Sequence, residues 1–143
     1  MVHSTNALNI IMQFEGLSLS TYKDANGIPT IGYGHTSHVE MGMTISKSQA
    51  LLYLNADVMS SDVIINKMVT VPLTQNQFDA LVSFVYNLGP IHFSSSTTLK
   101  DLNQRNYQAA ADAMLMWVQP GSANTKGLTI RRNAERELFL RSA

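Results

Sequence analysis

Three residues in the first part of the chain are of types and spacings that can do chemistry together. Glu15 is followed nine positions later by Asp24 and six beyond that by Thr30. They lie in Phe14-Glu15-Gly16, in Tyr22-Lys23-Asp24-Ala25-Asn26-Gly27 and in Pro29-Thr30-Ile31-Gly32-Tyr33-Gly34-His35. Two carboxyl groups held near each other by turn-rich backbone are the minimum equipment for cleaving a glycosidic bond. One gives a proton to the leaving oxygen, and the other supports a water or a developing positive charge. Read singly, Asp24 is a turn residue before Asn26-Gly27, and Thr30 is a structural strand threonine. The spacing from Glu15 is what sets Asp24 apart.

The elements that must position these groups follow from the apolar pattern. A helix is expected over about Thr5 to Phe14, with Ala7, Leu8, Ile10, Ile11 and Phe14 apolar and Gly16 as its stop. Glu15 then sits at the helix's C-terminal end, whose partial negative charge favours the protonated carboxyl that a proton donor needs. Leu17 to Tyr22 alternates with period two, Asn26-Gly27 is a hairpin-turn signal, and Thr30 to Gly34 reads as the return strand. Its two glycines remove side chains where a ligand or backbone comes close. A short third strand is expected near Val39–Met43.

The remainder reads as helical. Ser46-Lys47-Ser48-Gln49 opens a helix with Leu51, Leu52 and Leu54, and a second helical run, about Asp57 to Val69, offers Val58, Ile64, Ile65 and Met68 for burial. Thr74-Gln75-Asn76-Gln77 opens another, which ends at Leu88-Gly89-Pro90. Shorter helices follow Ser94–Ser96 and Asn106. The last runs from about Thr129 to Leu140, with Arg131 and Glu135 at a stabilising spacing of four. The fold class is α+β, mainly helical. A small β-hairpin lobe over about residues 15–60 joins a larger all-helical lobe of about residues 1–14 plus 61–143, with a ligand groove between them. The whole chain is expected to form a single domain.

Composition narrows the function classes. The 143 residues are 45% hydrophobic and 14% charged, which excludes a disordered chain. With no cysteine there are no disulfides and no thiolate zinc sites. Residues 1–70 carry three Lys/Arg and five Asp/Glu, whereas residues 71–143 carry seven and five. That surplus is too thin for a nucleic-acid partner. No apolar run reaches bilayer length, and no signal-peptide pattern is evident, so no stable membrane insertion is expected.

The segments around Glu15, Asp24 and Thr30, followed by Leu73-Thr74-Gln75, Gln77-Phe78-Asp79-Ala80-Leu81, Ser83-Phe84-Val85-Tyr86-Asn87-Leu88-Gly89, Gly127-Leu128, Arg131-Arg132 and Ala134-Glu135-Arg136-Glu137-Leu138, resemble the phage-type lysozymes, glycoside hydrolase family 24. The resemblance spans nearly the whole length. It implies a lysozyme-like fold and hydrolysis of the β-1,4 bond between N-acetylmuramic acid and N-acetylglucosamine in peptidoglycan, without cofactor or metal. It makes Glu15 the general acid, Asp24 the second carboxylate and Thr30 the residue that helps place the attacking water. Inversion at the anomeric carbon is implied as well. An arginine from the last helix is implied beside Glu15, with Arg131 and Arg132 both candidates. Tyr33, Gly34, His35 and Phe93 are the implied substrate-binding residues, with Phe93 as a cleft wall. A monomeric endolysin made in the host cytoplasm and released with the help of a holin is the expected setting.

Plainer readings stand beside these. His35 and His38 lie three apart in a loop with no evident third ligand, which argues for a structural hydrogen bond rather than a metal. Trp117 ends an Ala/Met/Leu helix and reads as core, Tyr33 divides between cleft lining and lobe packing, and Met59, Met68, Met114 and Met116 fit helical core faces. The rival functions are a lytic transglycosylase, an antibacterial effector on the same frame, and a non-catalytic peptidoglycan-binding module.

Overall fold

A computed structural model describes residues 1–142. The most continuous apolar stretch builds its centre. Phe78 to Val85 are all buried within helix α3 (Gln75–Leu88), which opens on a capping box between Thr74 and Gln77 and stops at Gly89. Around it pack α1 (Thr5–Glu15), α2 (Lys47–Met68) and α7 (Thr125–Leu140). The short helices α4 (Pro90–Ser94), α5 (Thr97–Asn103) and α6 (Tyr107–Met114) close the far side. The core joins Ile11, Leu54, Val58, Ile65, Phe78, Phe84, Phe93, Leu102, Met114 and Phe139.

Between α1 and α2 lies a two-stranded antiparallel sheet, β1 (Ser18–Lys23) and β2 (Pro29–Gly32), with Tyr22 opposite Thr30 and an irregularity between Ser18 and Tyr22. The hairpin leans on α2 through fully buried Ile31 and through Gly32, where an added Cβ would stand 3.4 Å from the Cβ of Ala50. The alternation of β1 does not make a core face, since Leu17, Leu19 and Tyr22 stay exposed. A sheet of two strands is too small to cover its own face.

Three expectations are corrected. The two helical runs after Ser46 form the single helix α2, because Asn55-Ala56 contains nothing that breaks a helix. The lobe boundary drawn near residue 60 therefore falls inside a continuous helix, and Leu52 and Met59 point to solvent while Val58 and Ile65 enter the core. No strand forms over 39–43; instead β1 pairs slightly later, with Thr21 N–H donating to Met43 O and Ile45 N–H to Leu19 O. Met116 is also exposed, at the end of the Ala/Met run where the chain has left α6.

Candidate active site

Glu15 is the last residue of α1, and both ends of that helix are fixed by other elements. At its start, fully buried Asp79 of α3 accepts hydrogen bonds from the Ser4 N–H at 2.8 Å and from the Ser4 hydroxyl. At its end, Gly16 turns the chain away with φ 71°, a left-handed value suited to glycine.

A buried ionic cluster stands behind the carboxyl of Glu15. Arg131 Nη1 donates to Glu15 Oε1 at 2.7 Å, its Nε donates to Glu135 Oε2 at 3.2 Å, and its Nη2 reaches the Ser83 carbonyl at 3.2 Å. Ser83 Oγ donates to Glu135 Oε2 at 2.5 Å. Arg132 Nη1 donates to Glu135 Oε1 at 2.6 Å, and its Nη2 donates to Asn87 Oδ1. Arg131, Arg132, Ser83 and Glu135 are all buried. The arginines also lie over aromatic rings, Arg131 at 5.9 Å from the centre of Phe14 and Arg132 at 5.1 Å from that of Phe84. Burial pushes the Glu135 carboxyl up, against the charges of Arg132 and Arg131 and the Ser83 hydrogen bond. Burial lowers the Arg132 guanidinium, against the charge of Glu135. The two guanidiniums and two carboxylates balance one another, which is what such a cluster needs away from water.

The helix phase thus separates the two arginine candidates. Arg131 touches Glu15, whereas Arg132 lies deeper and acts on Glu135 and Asn87.

Asp24 and Thr30 are held quite differently, by the backbone of the hairpin. Asp24 Oδ1 accepts from the N–H of Asn26 at 2.8 Å and of Ile28 at 2.9 Å. The Asp24 N–H donates to Ile28 O at 3.0 Å, and Thr30 Oγ1 donates to the same carbonyl at 2.8 Å. Both residues are thereby tied to Ile28. Gly27 supplies the left-handed turn, with φ 77°. Thr30 is buried, and Asp24 is half-buried.

The other expected residues divide. Gly34 (φ 92°) lies against the acid: a Cβ there would stand 3.7 Å from Glu15 Oε2. His35 Nδ1 pairs with Asp57 Oδ2 at 2.8 Å, and its ring stacks on Tyr53 at 4.2 Å. That contact clips the loop after β2 to α2. Tyr33 is half-buried against the core. Phe93 corrects its expected place as a cleft wall. It is fully buried, edge-on to Phe84 at 6.4 Å, and it is the residue of α4 that enters the core, while Ile91 of the same helix faces out. His38 is exposed, and among the described residues no three His, Cys, Asp or Glu side chains gather to hold a metal.

Open space flanks Glu15. One hollow of about 400 Å³ is bounded by Phe14, Glu15, Asn87, Asn124, Leu128 and Arg131. Another, of about 390 Å³, is bounded by Gly34, Thr36, Ser37, Asp57, Ser60 and Tyr86. Tyr86 carries no signal in the sequence that singles it out. Burial and then the charges of Glu15 and Asp57 push its phenol up, so it stays a neutral hydroxyl beside the acid. Ser83 and Glu135 likewise escape a sequence reading as parts of the site. A hydroxyl inside the apolar run Ala80-Leu81-Val82-Ser83-Phe84-Val85 is the available signal for the first.

The phage lysozyme family model matches residues 12–135, a span that contains every side chain of the cluster and the hairpin just described. The chain belongs to the phage lysozyme family. It is 44% identical over 142 residues to the endolysin of Salmonella phage P22, covering 96% of this chain and 97% of that protein. The crystal structure of a point mutant of P22 lysozyme superposes with a TM-score of 0.91 at 42% identity, covering 99% of each chain. The muramidase domain of SpmX from Asticaccaulis excentricus superposes with a TM-score of 0.92 at 35% identity, covering 97% of each. The mainly helical frame with one small antiparallel sheet is thus the phage lysozyme fold. No helix among the described residues is long and apolar enough to cross a membrane.

Proposed function

We propose that this phage lysozyme is a muramidase that hydrolyses the β-1,4 bond between N-acetylmuramic acid and N-acetylglucosamine in bacterial peptidoglycan. The observation that carries the reading is Glu15 itself. It is a carboxyl at a helix end, aimed into open space and gripped on one oxygen by Arg131 at 2.7 Å, with Gly34 giving room at the other. In this reading Glu15 protonates the glycosidic oxygen as the bond breaks. Asp24 supports the attacking water or the positive charge that develops on the sugar ring, and Thr30 helps orient that water. Arg131 keeps Glu15 in position and stands opposite the negative charge left on the carboxylate once the proton has gone.

The arrangement of Asp24 supports two-carboxylate hydrolysis. One of its oxygens is spent on the turn, which fixes the side chain without neutralising its charge. A lytic transglycosylase needs only the acid, so it leaves that arrangement unexplained. Mass spectrometry of digested muropeptides separates the two, since a transglycosylase leaves anhydro ends lighter by one water.

The matched endolysins support the setting of host-cell lysis; we propose in addition a monomer that reaches the wall through a holin lesion. Lysis that proceeds equally in cells with and without a coexpressed holin contradicts that route. The chemistry is tested by a zymogram on purified sacculi with wild type and Glu15→Gln side by side. The variant is expected to fold and to leave the sacculi intact. Clearance above a few per cent of wild type removes Glu15 from the role of acid.

A further inference from the structure

The ionic cluster behind Glu15 has a second exit toward the solvent, and it ends on Asn87. Arg132 is fully buried, with Nη1 held by Glu135 at 2.6 Å and Nη2 donating to Asn87 Oδ1. A guanidinium carries donors only. The amide oxygen of Asn87 must therefore face inward, and its NH2 is the group turned to the exposed side. The Nε of Arg132 is buried without a partner among the described residues, so Asn87 is one of the few acceptors that cation has. An amide whose oxygen is anchored to an immobile charge is a donor of fixed direction.

Asn87 stands where two hollows meet. It lines the one that holds Glu15 and Arg131, and it lines a neighbouring one of about 600 Å³. Gln119 and Leu128 are also common to both, so the two hollows adjoin along these three residues. The second hollow is walled by Leu88, His92, Trp117 and Leu128, with the His92 and Trp117 rings 5.3 Å apart. It therefore offers the oriented N–H donor of Asn87, with the polar groups of Gln119 and His92 nearby, beside an apolar and aromatic wall. A sugar hydroxyl needs no such wall. An amide carbonyl that carries a methyl group uses both parts, the oxygen on the donor and the methyl on the wall.

We infer that Asn87 is a substrate-binding residue, its NH2 donating to the carbonyl oxygen of a methyl-bearing amide on the glycan strand, with the methyl end against Trp117 and Leu128. Two parts of peptidoglycan supply this chemistry, the acetamido group of the sugars and the alanyl amide of the stem peptide. The inference rests on the reading of the Glu15 cleft as the glycan site.

The test is steady-state kinetics of the full chain and of Asn87→Asp. That variant keeps the acceptor for Arg132 and loses the NH2. Three soluble substrates are compared: glycan strands with stem peptides, strands stripped of peptides by an amidase, and peptide-free strands chemically N-deacetylated. One lost hydrogen bond is expected to raise KM about ten-fold on peptide-bearing strands, with kcat and its pH profile within about two-fold. A rise that disappears on peptide-free strands assigns the stem peptide. A rise that persists there and disappears after N-deacetylation assigns the acetamido group. Trp117→Leu, which shortens the wall without touching Arg132, is expected to raise KM on the same substrate, and it decides the matter if Asn87→Asp lowers Tm. An unchanged KM on all three substrates, or a change confined to kcat or Tm in both variants, overturns the assignment. These results are independent of Glu15→Gln: an active Glu15→Gln would end the acid's role and leave the KM shift of Asn87→Asp in place.

Discussion

The two carboxyl groups of the site are supported in opposite ways. Glu15 is backed by four buried polar side chains from two other helices, Ser83 of α3 and Arg131, Arg132 and Glu135 of α7. Among the described residues Asp24 is backed only by its own hairpin, through four hydrogen bonds to backbone within five residues. The first support is long-range: it exists only when the helices are packed. The second is local and survives as long as the turn does. Precision of the proton donor is thus coupled to global stability, whereas that of the second carboxylate is coupled to one loop.

The contrast can be broken most severely at Glu135. Glu135→Leu leaves Arg131 and Arg132 buried without their shared carboxylate, a change that costs about 3–5 kcal/mol. Thermal unfolding should shift down by roughly 10–20 °C, with activity falling at temperatures where the protein is still folded because Arg131 is no longer held. An unchanged Tm would mean that the cluster contributes nothing to the fold. Asp24→Asn should do the reverse. The amide oxygen still accepts from Asn26 and Ile28, so stability should move by less than about 0.5 kcal/mol, while turnover drops by about a hundred-fold or more. A variant that loses stability in proportion to activity would make Asp24 a turn residue only.

Thr30→Val sharpens the hairpin side further. It keeps the shape and removes the hydroxyl that donates to Ile28 O at 2.8 Å. Activity should fall about ten-fold, and Thr30→Ser should recover most of it; equal activity of the Val variant and wild type would exclude a role for the hydroxyl. The smallest expected effect lies at the far end of α1. His3 offers Nδ1 to Asp62 at 2.7 Å and Nε2 to Asn55 at 2.7 Å. Burial works against its charge, but the hydrogen bonds to Asn55 and Asp62 and the charge of Asp62 outweigh it and hold the imidazole above its usual value. A histidine raised in the folded state stabilises fully below its unfolded value of about 6.5 and loses that contribution as pH rises through the folded value. Denaturant midpoints should therefore decline slightly as pH rises above about 6.5, and His3→Gln should flatten the decline. A steeper decline in the variant contradicts the assignment.

Local supports are readable in the sequence, and long-range ones are obscure. Gly16 as the stop of α1, the Asn26-Gly27 turn and the Thr74–Gln77 capping box all lie within a few residues of what they control. The identity of the arginine beside Glu15 requires the phase of α7 against α1, which adjacent positions 131 and 132 cannot reveal. Asp79 and Glu135 carry no mark of burial in the sequence, yet both are fully buried, because Asp79 meets Ser4 ahead of α1 and Glu135 meets Ser83 of α3 as well as Arg131 and Arg132 of its own helix. Phe93, expected at a cleft, lies in the core for a related reason: a five-residue helix has no pattern long enough to show which side faces inward.

The most direct measurement of the central claim uses a substrate that needs no proton donor. Glu15→Gln and Asp24→Asn are compared on peptidoglycan strands and on an aryl chitooligosaccharide whose dinitrophenolate leaves unprotonated. If Glu15 is the acid, Glu15→Gln is expected to lose nearly all activity on the strands and to regain much of the wild-type rate on the aryl substrate, with Asp24→Asn impaired on both. Equal loss by Glu15→Gln on the two substrates would contradict proton donation by this residue.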